Sequence, residues 1–263
     1  MIPKKIYLTH EKKEDFEKFK KCIKYSQSNN PSYKIRMYTE KMRSRFIKKH
    51  FPEFYKYYIR INSNYGAAKA DIWRVLILYK YGGIYIDCKS KLNNLDEMFK
   101  KNPNYDFYTV QFNQDDYMAH LVGKVNNMEY SNWFLATKAR GKVITKIKNQ
   151  MLKRLINYGR PYMTFLNKVT SSIIPAFGKI NDNTGLLAVF YYTGPLLFTY
   201  CIKKLKTVKV CIVTKLDKKY VIYNSNIPLL VRLIKHSEDY KNSYHKNKLP
   251  FLKDENNLNK CQS

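Results

Sequence analysis

Residues 2–9 (Ile-Pro-Lys-Lys-Ile-Tyr-Leu-Thr) read as an opening strand behind a proline start. Over residues 11–26, Phe16, Phe19, Cys22 and Ile23 recur among charged positions at helical spacing, so an amphipathic helix is predicted there. Asn29-Asn30-Pro31 breaks it, and residues 33–38 alternate like a second strand. Residues 40–60 again predict helix, interrupted near Pro52. Strand, helix, strand, helix is the rhythm of an α/β fold with a mainly parallel central sheet flanked by helices.

The stretch AAKADIWRVLILYKYGGIYIDCKSKL, residues 67–92, carries the most information. From Ala67 to Tyr79 apolar residues cover nearly the whole helix circumference, so this helix is expected to be buried. Gly82-Gly83 ends it, because glycine adopts the left-handed conformation at a helix C-terminus at little cost. Residues 84–89 then read as a buried strand. Further strands are expected at 105–112, 133–137, 208–213 and 220–223, and a basic amphipathic helix at 143–155. The longest apolar run, 186–202, is divided by Gly194-Pro195 and contains several tyrosines, so a buried strand-to-helix unit fits better than a membrane span of ~20 apolar residues. No repeat or linker interrupts the chain. A single domain over 1–250 and a polar, frayed tail over 251–263 are expected.

Composition narrows the class. With 263 residues, 44% hydrophobic and 15% aromatic, the chain can bury a proper core. The 49 Lys+Arg against 20 Asp+Glu give +29 at pH 7, which favours polyanions, anionic membranes or phosphate-bearing substrates. The lysines run from Lys4 to Lys260 rather than in one tract, and heavy use of Lys, Asn, Ile and Tyr also fits a genome rich in A and T. Five cysteines without a C-x-x-C fit reduced thiols and no zinc site. The opening MIPKKIYLTH is too polar for a signal peptide or an anchor, so neither is expected. A soluble, cytoplasmic protein of microbial or viral type is expected.

Two polar residues interrupt the buried helix. Asp71 and Arg74, three apart, share one face. A structural ion pair is the alternative, but ionised residues among apolar neighbours are costly unless paired or put to use. Just beyond the Gly-Gly turn, Tyr85, Asp87 and Lys89 alternate onto one side of the next strand, with Ile84, Ile86 and Cys88 on the other. A phenol, a carboxylate and an ammonium at the C-terminal end of such a strand are well placed for a ligand.

The string A-A-K-A-D-I-W-R…Y-G-G-I-Y-I-D-C-K resembles the signature of the DXD-containing sugar transferases of glycosyltransferase family 32, which includes fungal α-mannosyltransferases and is related to clostridial glucosylating toxins. The opening I-P-K-K-I-Y-L-T-H is similar to that family's first strand, and Y-T-G-P at 192–195 to its Thr-Gly-Pro turn. The resemblance implies a GT-A fold, a Rossmann-like α/β nucleotide-sugar-binding sandwich. It implies a retaining glycosyltransferase that moves sugar from a UDP- or GDP-linked donor to a glycan, protein or lipid acceptor. It places Asp71 and Arg74 on donor-sugar hydroxyls and Tyr85 against the nucleotide. Asp87 falls at the first Asp of D-x-D, facing the ribose and the metal's water shell. Leu8, Thr9 and His10 would line the base pocket, Asn132 would reach the sugar, and His236 and His245 are the nearest counterparts of a closing segment at the diphosphate.

Lys89 departs from the pattern. It stands where the second Asp usually ligates Mn²⁺ or Mg²⁺, and an ammonium cannot coordinate a cation. Two unit charges ~4 Å apart interact by ~4 kcal/mol at an effective dielectric near 20, so a divalent ion there meets a penalty near ~8 kcal/mol. Either Lys89 itself neutralises the diphosphate and transfer is metal-independent, the favoured reading, or the site is degenerate. In the second case the chain is a non-catalytic, basic polyanion binder on a transferase fold. Nothing resembles a nucleic-acid module, so no specific nucleic-acid partner is expected.

Overall fold

A computed structural model describes residues 1–112, 129–159, 185–213, 220–223 and 249–253. Its strands are β1 (Lys5–Thr9), β2 (Lys34–Tyr38), β3 (Gly83–Ile86), β4 (Ser90–Leu92), β5 (Phe107–Phe112), β6 (Glu129–Thr137), β7 (Val210–Ile212) and β8 (Val221–Tyr223). Six of them form the central sheet, in the order β2-β1-β3-β6-β5-β7. The pairs β1/β2, β1/β3 and β5/β7 are parallel, and β6 runs antiparallel to both β3 and β5. The expected mixed, mainly parallel α/β architecture is thus observed. A separate antiparallel pair joins β4 to β8.

Strand alternation sorts the core onto two faces. Ile6, Leu8, Ile84, Ile86, Tyr108, Val110, Phe134 and Ala136 pack with Phe16 and with Leu95 and Met98 of α5 (Leu95–Lys101) on one side. Tyr7, Tyr85, Phe107 and Leu135 pack on the other against α2 (Glu40–His50), α3 (Pro52–Tyr58), α4 (Gly66–Tyr81) and α6 (Lys142–Ile156). The helix α4 is buried around most of its circumference, with Ile72, Trp73, Val75, Leu76, Ile77 and Leu78 all at zero exposure. It ends at Gly82, whose φ of +63° no bulky residue tolerates well. A Cβ there would stand 2.5 Å from the Ala139 nitrogen, and one on Gly83 2.7 Å from the Lys5 carbonyl. The Gly-Gly pair therefore lets β3 turn out of α4 directly between its neighbours.

Several elements differ from expectation. The first helix opens as a 3₁₀ turn, Glu14–Phe19, before α1 (Lys20–Ser28). The strand expected over 84–89 stops at Ile86. The Asp87 N–H still donates to the Trp133 carbonyl (2.9 Å), but Ser90 N–H then bonds back to the Asp87 carbonyl (2.9 Å), so Asp87–Ser90 is a turn. The run 186–202 holds two helices, α7 (Gly185–Tyr192) and α8 (Pro195–Lys203), rather than a strand and a helix. A continuous apolar run has no periodicity to separate the two states, and Pro195 opens the second helix where its missing N–H is harmless. The segment after Pro250 is not frayed at its start. Phe251 and Leu252 are buried, Phe251 stacks on Tyr192 (5.1 Å between centroids), and Leu252 bridges to Ile61. Residues 254–263 lie outside the described residues. No helix among the described residues is long and apolar enough to cross a membrane.

Candidate active site

The buried helix and the strand after the glycines meet at the C-terminal edge of β1 and β3. One turn apart on α4, Asp71 and Arg74 form an ion pair (Arg74 Nη2 to Asp71 Oδ1, 3.1 Å), both almost fully buried. The pair is not isolated. Asn132, on β6, donates from Nδ2 to Asp71 Oδ1 (2.9 Å), and its carbonyl accepts from Arg74 Nη1 (2.6 Å). The Thr193 hydroxyl, in the turn between α7 and α8, lies 3.1 Å from both Asp71 Oδ2 and the Val189 carbonyl. Burial pushes the Asp71 carboxyl up to about 7 against the pull of Arg74, Thr193 and Asn132, with Asp87 adding to the rise.

The Arg74 guanidinium lies over the Tyr85 ring (4.2 Å to its centroid) and reaches 3.6 Å from Asp87 Oδ1. Tyr85 donates its hydroxyl to that same oxygen (2.8 Å), so Tyr85 and Asp87 do share a side of the chain. Burial first, and the Asp87 carboxylate in addition, hold the Tyr85 phenol well above its ordinary range. Asp87 is half-buried at the mouth of the cluster and Lys89 is exposed in the turn beyond it. The strand therefore does not carry Lys89 alongside Tyr85 and Asp87 by simple alternation, because the chain has left the sheet at Ile86.

The end of β1 forms the neighbouring wall. The register aligns Tyr7 with Tyr85, so Thr9 lies level with Asp87, and the Cys88 thiol donates to the Thr9 carbonyl (3.3 Å). Leu8 differs from expectation, since its side chain is packed in the core. The Thr9 hydroxyl donates to the Tyr38 carbonyl (2.7 Å) and accepts from Arg43 Nη1 (2.6 Å). His10 pairs through Nδ1 with Asp15 Oδ2 (2.8 Å) and leans on Phe19 (5.6 Å between centroids). Two further expected site residues, His236 and His245, lie outside the described residues.

As a cation site, the described residues do not fit. Asp71 already serves Arg74, Asn132 and Thr193, Asp87 faces a guanidinium, and an ammonium follows two residues on. Hard divalent cations need several oxygen ligands, and no group of three His, Cys, Asp or Glu comes together among the described residues. A cleft of about 720 Å³ at the opposite, amino-terminal edge, lined by Lys4, Asp96, Tyr105 and Lys138, contains none of the cluster.

Sequence reasoning gave no role to Thr193, which bonds Asp71, or to Arg43, which bonds Thr9, His10 and Glu11. Thr193 lay within the Thr-Gly-Pro string without a role. Arg43 carried a usable signal, as it stands four residues before Ile47 on the buried stripe of α2, where a charge requires partners.

Residues 17–94 match the family described as the glycosyltransferase sugar-binding region containing DXD motif. That stretch contains Asp71, Arg74, Tyr85, Asp87 and Lys89. The chain is 34% identical over 99 residues to the mannosyl phosphorylinositol ceramide synthase SUR1 of Saccharomyces cerevisiae, covering 36% of this chain and 25% of that protein. It is 32% identical over 99 residues to inositol phosphoceramide mannosyltransferase 2 of Schizosaccharomyces pombe, covering 36% of this chain and 28% of that protein. The chain thus matches only about a quarter of the length of these relatives. Among solved structures, the PaToxG glycosyltransferase aligns at a TM-score of 0.49 and 16% identity, over 78% of this chain and 70% of that one. The family match over residues 17–94 and the yeast relatives bear out the resemblance to DXD-type sugar transferases read from the sequence.

Proposed function

We propose that the protein is a retaining glycosyltransferase using a nucleotide-diphosphate sugar. The observation that carries this reading is the buried Asp71–Arg74–Asn132–Thr193 cluster, which opens through Asp87 at the C-terminal sheet edge inside the matched stretch. Open α/β sheets take their ligands at this edge. A carboxylate offers about four acceptor positions, and protein donors occupy three on Asp71. The remaining one suits a sugar hydroxyl, and Arg74, held by Asp71 and the Asn132 carbonyl, keeps that carboxylate oriented. Asp87, steadied by Tyr85, faces the ribose, and Thr9 and His10 flank the base.

In the transfer step the bond from the anomeric carbon to the diphosphate oxygen breaks. A bond to the acceptor oxygen forms on the same face, and the acceptor's proton passes to the departing phosphate oxygen. The charge that develops on the leaving group is met by the Lys89 ammonium, a cation in place of a metal. The names of the yeast relatives favour mannose as the sugar and an inositol phosphoceramide-like lipid as the acceptor. The net charge of +29 favours a second reading, a polyanion binder without transfer activity, whose affinity would fall steeply with salt.

A thermal-shift screen of UDP, GDP and their sugar conjugates, each with Mn²⁺ and with EDTA, separates these readings. Ligand at a hundred times its Kd adds ~2.7 kcal/mol. A shift that survives EDTA supports transfer with Lys89 in the metal's place. A shift only with Mn²⁺ keeps the transferase and refutes the role of Lys89, and no shift with any nucleotide favours the polyanion binder.

A further inference from the structure

We propose that Arg43 is a positioning residue of the donor pocket, a buried clamp that fixes the Thr9–His10–Glu11 segment against the helix bearing Asp71 and Arg74. The inference rests on the reading of this edge as a nucleotide-sugar site. Arg43 projects from α2 and is fully buried. Its Nη1 donates to Thr9 Oγ1 (2.6 Å) and to the His10 carbonyl (3.2 Å), and its Nη2 to Glu11 Oε1 (2.6 Å). The planar fork thereby holds three consecutive residues, Thr9 at the last position of β1 and His10 and Glu11 just beyond it. Two further bonds pin the same segment from outside the fork. His10 N–H donates to the Tyr38 carbonyl (3.2 Å), and the Glu11 carbonyl accepts from Glu40 N–H (3.1 Å).

The clamp also reaches the opposite wall. Glu11 Oε1 lies 3.2 Å from where a Cβ on Gly66 would stand, so the carboxylate that Arg43 holds sits against the first residue of α4. That helix carries Asp71 and Arg74 one and two turns further on. The Arg43–Glu11 pair joins a buried guanidinium to a half-exposed carboxylate and contributes little net stability, since desolvation and solvent screening offset most of its Coulomb energy. Its effect here is geometric. It sets the spacing between the segment that would flank the base and the helix that would hold the sugar. Lysine cannot reproduce it, because a point charge lacks the fork.

The test uses the full chain and three variants, Glu11→Gln, Arg43→Lys and the double variant. Affinity for the nucleotide that the wild type binds best, UDP or GDP, is measured by calorimetry, with KM and kcat for its sugar conjugate. Losing one charge-assisted hydrogen bond corresponds to about a tenfold effect or more. Each single variant is therefore expected to weaken nucleotide binding and raise the donor KM about tenfold, with kcat at saturation within about threefold. The double variant should add little, since both changes break one network. Glu11 is half-exposed and glutamine keeps its shape, so this variant carries the test even where Arg43→Lys fails to fold. Folded variants that bind with wild-type affinity, or effects that simply add, would overturn the clamp while leaving the transferase reading intact. A wild type that binds no nucleotide overturns both.

Discussion

Asp71→Asn isolates what burial does to the site. The wild-type carboxyl is raised from 3.8 to about 7, chiefly by loss of water. The folded protein therefore binds a proton here more tightly than the unfolded chain, so the group costs nothing below pH 4. As pH rises from about 4 to 7 the unfolded chain releases its proton first, and stability falls. Above the folded value the loss levels off at about 4 kcal/mol, because each pH unit between the unfolded and folded values contributes about 1.4 kcal/mol. Asparagine keeps an acceptor and a near-identical shape but does not titrate. The stability of wild type relative to Asp71→Asn should therefore fall by between about 2 and 3 kcal/mol from pH 5 to pH 8. Urea unfolding of both proteins at the two pH values measures it. The variant should lose transfer activity at both, because the second acceptor oxygen and the negative charge opposite Arg74 are gone. A difference that stays constant with pH would refute the account of Asp71 as a carboxylate held against desolvation, and full activity would refute its role in the site.

Three further outcomes follow from the same geometry. Lys89→Asp restores the D-x-D spacing and should make nucleotide binding depend on Mn²⁺, read as a thermal shift that EDTA abolishes; binding that stays insensitive to EDTA contradicts the stand-in role. Thr193→Val removes a fully buried hydroxyl beside Asp71 and should cost about 1–3 kcal/mol in urea unfolding; an unchanged midpoint would mean the contact is immaterial. Gly82→Ala forces a side chain onto φ +63° and within 2.5 Å of the Ala139 nitrogen. It should destabilise by more than about 1 kcal/mol, measured by thermal unfolding, and neutral behaviour would show that the α4–β3 turn can relax.

What the sequence determined by itself was local. The buried helix showed in apolar residues all round its axis, its end in Gly82-Gly83, and its chemistry in two charges one turn apart where no charge belongs. Strand alternation placed Tyr85 and Asp87 on one side, and the hydrogen bond between them agrees. Each of these signals lies within a few residues, where backbone geometry alone fixes which side chains meet. Alternation failed at Lys89 because a turn, set by a bond from Ser90 back to Asp87, takes the chain out of the sheet. The partners of Asp71 were set by tertiary structure. Asn132 is 61 residues away and Thr193 122, and they meet Asp71 because β6 runs back beside β3 and the α7–α8 turn packs against α4. The same holds for Arg43, which reaches Thr9 across 34 residues. A periodic pattern reports that a position faces inward. Which atoms it finds there is decided by how distant segments cross, and at this site that crossing surrounds Asp71 with three donors that offset only part of the cost of its burial.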